Sequence, residues 1–258
     1  MTIANMLEIQ NITAGYGKLQ ILNGVTFSVK SQSLTAILGG NGCGKSTTLK
    51  AITGLIKCTS GDALFEGESL KNVKPQQIMH KGIAFVTQGK EVFPSMTVEE
   101  NLLLGAYIIK EKEKIQMNIE QVLTYMPRLK AKFKSASGIL SGGEQQMLSI
   151  GRGLMSNPKL LILDEPSAAL SPKIADEIYQ FIYSLHENGM TILLVEQNVK
   201  KALEISEYSY ILSEGRVVFE DTSKNLRSHP NIKSFYLGNC KDFSEIGTTL
   251  KKNIKKDK

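Results

Sequence analysis

The stretch Gly39-Gly40-Asn41-Gly42-Cys43-Gly44-Lys45-Ser46-Thr47 decides how the rest of this 258-residue chain is read. An apolar run, Leu34-Thr35-Ala36-Ile37-Leu38, precedes it, and Thr48-Leu49-Lys50-Ala51-Ile52 follows. That succession predicts a buried strand, a glycine-rich turn and a helix. The spacing fits G-x-x-x-x-G-K-[S/T], a loop that wraps phosphate. Glycines let backbone N–H groups turn inward around an anion, and the helix N-terminus adds its positive end. Lys45 is placed to reach the β- and γ-phosphates of a nucleoside triphosphate, and the Ser46 hydroxyl to ligate Mg²⁺. A plain strand-to-helix turn with an exposed lysine would carry some of the same letters. The strand and helix on either side favour the phosphate loop.

Upstream, Met6–Ile12 alternates apolar and polar residues as a half-buried strand does, and Val25–Val29 repeats the pattern. Between them Ala14-Gly15-Tyr16-Gly17 predicts a turn whose ring, Tyr16, could stack on a nucleotide base or simply pack at the turn. Downstream, Ile83–Thr87 predicts another buried strand ending at Gln88, and strand ends are where α/β proteins keep ligand contacts. Thr97 with Glu100 makes a capping box, and residues 95–155 lack strand-like runs, which predicts a helical insert. Leu140-Ser141-Gly142-Gly143-Glu144 opens a helix running to about Ser156, with Ser141 as N-cap and a second potential anion site. Leu160-Leu161-Ile162-Leu163 is a buried strand delivering Asp164 and Glu165 at its carboxyl end. Asp164 suits Mg²⁺ and Glu165 suits the activation of a water molecule. A helix from Lys173 to His186, a strand Thr191–Val195 ending at Glu196-Gln197-Asn198, and a closing hairpin at 208–220 complete the pattern.

Net charge is +6, but Lys251, Lys252, Lys255, Lys256 and Lys258 concentrate it at the end, so no nucleic-acid groove is implied. Residues 239–258 are expected to form a basic, disordered tail behind one domain, 1–238. No run of 18 apolar residues occurs, so any membrane role is expected to be peripheral. Cys43, Cys58 and Cys240 lack metal-site spacing, and Cys43, near Lys45 and a helix start, is expected to be a reactive thiol.

In this order the motifs together resemble the ATP-binding cassette ATPases, over roughly residues 6–237. The resemblance implies a P-loop NTPase core, α/β with a mainly parallel sheet and flanking helices. A small N-terminal antiparallel sheet and an inserted α-helical subdomain, about 95–155, complete the expected fold. It implies ATP and Mg²⁺, with Tyr16 on the base, residues 39–47 on the phosphates, Gln88 as γ-phosphate and Mg²⁺ sensor, and Glu165 as general base. It also implies a dimer, homomeric or heteromeric. There Ser141, Gly142, Gly143 and Glu144 of one subunit cap the ATP held by the other. More narrowly, Val92–Leu102, Ser167–Pro172 and Val195–Asn198 resemble the ATPase subunits of branched-chain amino-acid importers and their urea or short-amide relatives. Gln197 stands where most cassettes carry His, so it is expected to face the γ-phosphate. Gly40 replaces a usual Pro and Ala169 a usual Gly. The implied partners are transmembrane permease subunits and, indirectly, a substrate-binding protein, at the cytoplasmic face of a membrane. A soluble cassette without transport is the rival from another class.

Overall fold

A computed structural model describes residues 5–89 and 91–229, so the expected basic tail lies outside the described residues. The chain divides into two units, Met1–Lys74 with Leu193–Lys258, and Pro75–Ile192.

The first unit opens with β1 (Asn5–Tyr16) and β2 (Leu19–Lys30), an antiparallel pair. In β1 the buried residues are Leu7 and Ile9, then Ile12 and Ala14, so the alternation slips between Ile9 and Ile12. The slip is a bulge. Two residues of β1 separate Ile9 from Ile12 where β2 has one between Phe27 and Val25, and Asn11 takes a φ of 53°. Strand pairing therefore continues through Ala14–Tyr16, and the turn expected there shrinks to Gly17-Lys18. Next come β3 (Leu34–Leu38), buried throughout, α1 (Lys45–Ile52), β4 (Cys58–Phe65) and β5 (Glu68–Ser69). An antiparallel sheet takes the order β2-β1-β4-β5, so the small sheet recruits strands from beyond the phosphate loop.

The second unit holds α2 (Pro75–Ile78), β6 (Ile83–Val86), α3 (Val98–Gly105), α4 (Lys112–Tyr125), α5 (Pro127–Ala131) and α6 (Gly142–Leu154). Then β7 (Leu160–Asp164) pairs parallel with β6, and α7 (Pro172–Glu187) follows. Among the described residues, the stretch from 95 to 155 holds helices and one isolated bridge, Thr97 to Ala136. The Thr97 capping box forms: Thr97 N–H donates to Glu100 Oε2 at 2.7 Å and Glu100 N–H to Thr97 Oγ1 at 3.1 Å. Pro127 opens α5 at the end of α4, as a residue without an N–H allows only in a first turn.

The last elements are β8 (Thr191–Glu196), α8 (Val199–Ile205), β9 (Tyr208–Ser213), β10 (Arg216–Thr222) and α9 (Ser223–Ser228). Within the first unit they extend β3 in the order β10-β9-β3-β8, with β3 and β9 parallel and β9 and β10 a hairpin. Every residue of β3, β7 and β8 is buried, as expected for strands covered on both faces. Each Leu, Ile or Val so enclosed contributes roughly 1.5–3 kcal/mol. The fold is α/β, with one antiparallel and one mostly parallel sheet, as the sequence predicted.

Candidate functional site

In the first unit, β3 delivers the glycine loop and α1 leaves it. Gly39 could not be any other residue without a shift: a Cβ there would lie 2.3 Å from the Leu212 carbonyl oxygen and 2.7 Å from Cys43 Sγ. Gly44, at φ 107°, is the N-cap of α1, a left-handed conformation that glycine takes without strain. The loop is pinned to the β9–β10 turn, because Gly215 N–H donates to the Cys43 carbonyl at 2.9 Å. Lys45 is 4% exposed, and its Nζ donates to the carbonyls of Gly39 at 3.0 Å and Gly40 at 3.1 Å. A buried ammonium needs such acceptors. The first turn of α1 carries no acidic residue, so its positive end is not neutralised by its own side chains. Thr47 is buried, Ser46 half-buried, and Asn41 and Gly42 are exposed. Cys43 is buried, 4% exposed, with its sulfur close against Gly39, which goes against the expectation of a reactive thiol.

Tyr16 ends β1 with its side chain 45% exposed, and Lys50 Nζ of α1 lies 6.0 Å from its ring centroid. The ring stands at the surface beside the helix that follows the loop. It is not packed away. At the end of β8, Gln197 is exposed while Glu196 is buried. Glu196 Oε2 accepts from Gln197 N–H at 3.2 Å. The cap of α8 is Asn198, whose Oδ1 accepts from Lys201 N–H at 3.2 Å, so Gln197 is not needed for capping.

In the second unit, β7 ends on buried Asp164 and half-buried Glu165. Glu165 has a φ of 45°, a left-handed conformation that a non-glycine residue holds only at some cost. Gln88, two residues past β6, donates from Nε2 to Glu165 Oε2 at 2.9 Å. Parallel pairing of β6 with β7 brings the two strand ends level, so two residues 77 positions apart meet. Ala169, where the resembling family usually has Gly, also takes a positive φ, 56°.

The Ser141 helix start is a full capping box, which the sequence reading did not recognise. Ser141 N–H donates to Glu144 Oε2 at 2.8 Å and Glu144 N–H to Ser141 Oγ at 3.4 Å. Glu144 also accepts from Lys132 Nζ at 2.7 and 2.9 Å. Burial alone would raise its carboxyl pKa, but the Lys132 and Ser141 hydrogen bonds outweigh that and hold it below the ordinary value. Glu144 is thus engaged in orienting the helix start. Gly143 packs against α7, since a Cβ there would lie 2.3 Å from Ile174 Cγ2.

In the first unit the Ser46 hydroxyl, and in the second the Asp164 carboxylate and the Gln88 amide, each offer an oxygen of the hard kind that suits Mg²⁺. Among the described residues, no group of three or more His, Cys, Asp or Glu could hold an ion. Mg²⁺ ordinarily needs only one or two carboxylates, completing its shell with water and substrate phosphates.

Asn101 escaped the sequence reading and organises the segment after Gln88. It is fully buried; Oδ1 accepts from Phe93 N–H at 2.9 Å, and Nδ2 lies within reach of the Phe93, Met96 and Thr97 carbonyls and Ser137 Oγ. The one available signal was an Asn one turn beyond a capping Thr.

A family model described as "ABC transporter" matches residues 22–168. The chain is 43% identical over 233 residues, 90% of its length and 100% of the relative's, to the high-affinity branched-chain amino acid transport ATP-binding protein BraG of Pseudomonas aeruginosa. A crystal structure of the ADP conformation of MJ1267, an ATP-binding cassette of an ABC transporter, superposes with a TM-score of 0.82 at 31% identity, covering 92% of this chain and 100% of that one. The dimeric post-hydrolysis structure of the cassette MJ0796 with ADP and Pi superposes at 0.74 and 26% identity, covering 84% and 99%. No helix among the described residues is long and apolar enough to cross a membrane. The chain belongs to the ABC transporter family, as one of its ATP-binding cassette ATPases.

Proposed function

We propose that this chain is the ATP-hydrolysing subunit of a membrane importer for branched-chain or chemically related amino acids. The observation that carries this is its similarity to a branched-chain amino acid transport subunit along that protein's whole length. It would act at the cytoplasmic face of the membrane, attached to permease subunits and paired with a second cassette, identical or paralogous. A substrate-binding protein would deliver the amino acid from outside.

The proposed roles follow the chemistry of the residues. Tyr16 stacks on the adenine. Residues 39–47 present backbone amides and the Lys45 ammonium to the β- and γ-phosphates. Glu165 takes a proton from the attacking water as its oxygen bonds to the γ-phosphorus. The bridging P–O bond breaks, and its electron pair leaves with ADP. Negative charge on the phosphoryl oxygens is met by Lys45 and by the Ser141–Gly143 amides of the second subunit. Gln88 holds the Glu165 carboxylate through its amide, and Gln197 donates to a γ-phosphate oxygen. Ser46, Asp164 and Gln88 would hold Mg²⁺, which supplies charge neutralisation when bound.

Reconstitution with the cognate permease pair and binding protein in liposomes tests the reading. ATP-dependent uptake of labelled leucine, isoleucine or valine supports it. Uptake of urea or a short amide alone shifts the substrate class, and ATP turnover without any permease partner supports the non-transport rival.

A further inference from the structure

The helix start that the proposed function offers to a second subunit's ATP carries a carboxylate of its own. Glu144, in the first turn of α6, is 8% exposed, and its Oε2 accepts from Ser141 N–H at 2.8 Å. With a pKa below its ordinary value, this group is an anion at neutral pH. It stands beside the amides of Gly142 and Gly143, which have no side chain in front of them. A helix N-terminus is worth about +0.5 of an elementary charge, so one carboxylate leaves the end negative by about 0.5. An end of that sign repels a triphosphate.

Lys132 reverses the sign. Its Nζ donates to both oxygens of the Glu144 carboxylate, at 2.7 and 2.9 Å. One added positive charge returns the helix end to about +0.5. The lysine is anchored through its own backbone at the end of α5. Its N–H donates to the Leu129 carbonyl at 3.0 Å, its carbonyl accepts from Ser135 N–H at 2.9 Å, and Leu129 is fully buried. Lys134, two residues on, is different: its side chain is 76% exposed and pairs with Glu99 of α3.

We infer that Lys132 is a positioning residue for the ATP reaction: by holding and neutralising Glu144, it keeps the Ser141–Gly143 helix start attractive to the γ-phosphate on a second subunit. This rests on the reading that two cassettes pair with that helix start over the other's ATP. Glu144→Gln should make the lysine dispensable, because a glutamine completes the capping box without a charge.

The experiment measures dimer dissociation by sedimentation, with MgATP, in the full-length chain carrying Glu165→Gln as the parent. Lys132→Met keeps an unbranched stem and drops the charge. It is expected to weaken the dimer roughly ten- to a hundredfold, as an uncompensated like charge at an interface does. Adding Glu144→Gln to Lys132→Met is expected to restore the parent's dimer. Glu144→Gln alone leaves Lys132 as surplus positive charge and is expected to dimerise at least as tightly as the parent. That variant decides the matter even if Lys132→Met does not fold. Lys134→Met loses a surface pair and is expected to leave dimerisation unchanged. The inference is overturned if Lys132→Met dimerises like the parent, or if Glu144→Gln alone weakens the dimer. It is also overturned if Glu144→Gln fails to relieve Lys132→Met, which reduces the lysine to a tie between α5 and α6. An equal loss in Lys134→Met overturns it too, since any lysine of the segment then serves. No dimer with Lys132 intact rejects the paired-cassette reading itself, and the inference with it.

Discussion

Asn101 is the residue through which the segment after Gln88 is held, and replacing it gives a graded test. The side chain is fully buried, with Oδ1 accepting from Phe93 N–H at 2.9 Å. Its amide nitrogen has two hydrogens and faces four acceptors, of which the Thr97 carbonyl at 3.0 Å and the Phe93 carbonyl and Ser137 Oγ at 3.1 Å are nearest. Three good hydrogen bonds at about 1 kcal/mol each, with some penalty for stranded groups, give roughly 2–4 kcal/mol for Asn101→Ala. In a chain of this size that lowers Tm by roughly 5–15 °C. Asn101→Asp should cost more than Ala despite its closer shape, because it turns an oxygen toward the Phe93 and Thr97 carbonyls. Scanning calorimetry of both variants measures the order. A drop under about 2 °C for Ala, or an Asp variant as stable as wild type, would refute the network as drawn.

Ala169→Gly should raise Tm by roughly 1–4 °C, since a left-handed alanine costs about 1–2 kcal/mol and glycine's added chain entropy only about 0.5–1; Ala168→Gly, with no positive φ to relieve, should lower it. Glu144 has a lowered carboxyl pKa, so its contribution is present above the unfolded value near 4.5 and is lost as pH falls through the lower folded value. Lys132→Ala should therefore destabilise the protein at pH 7 by roughly 1.5–3 kcal/mol, and urea melts at decreasing pH should show the gap from wild type closing below about 4.5. Gln197→Ala should slow ATP turnover about ten- to a hundredfold while leaving thermal stability unchanged, because Asn198 supplies the α8 cap.

What the sequence made legible was local. The strand–loop–helix at 34–52, the capping Thr97 and the acidic strand end at Asp164-Glu165 each announce themselves within a dozen residues, and each is where the pattern put it. Strand β4 was not legible, because Cys58–Asp62 is polar and broken by Gly61, and its pairing with β1 is decided by long-range contacts. The Tyr16 turn was misjudged because a bulge at Asn11 lets β1 continue past the point where strict alternation fails. Within the candidate site, residue types were readable and partnerships were not. The Gln88–Glu165 hydrogen bond joins residues 77 apart, and the burial of Cys43 depends on the close approach of Gly39 and Leu212. Lys132 illustrates the same limit: one lysine among Lys130, Lys132 and Lys134 carries no sign in sequence that its partner is Glu144.

The central claim is that Glu165, held by Gln88, activates the water that attacks ATP. Its most direct test is Glu165→Gln with MgATP, followed at once by turnover and by size exclusion with analysis of the bound nucleotide. The account predicts that ATP still binds, that turnover falls about 10²–10⁴-fold, and that a dimer elutes with unhydrolysed ATP. Wild-type turnover in this variant, or a monomer carrying ADP, would contradict it.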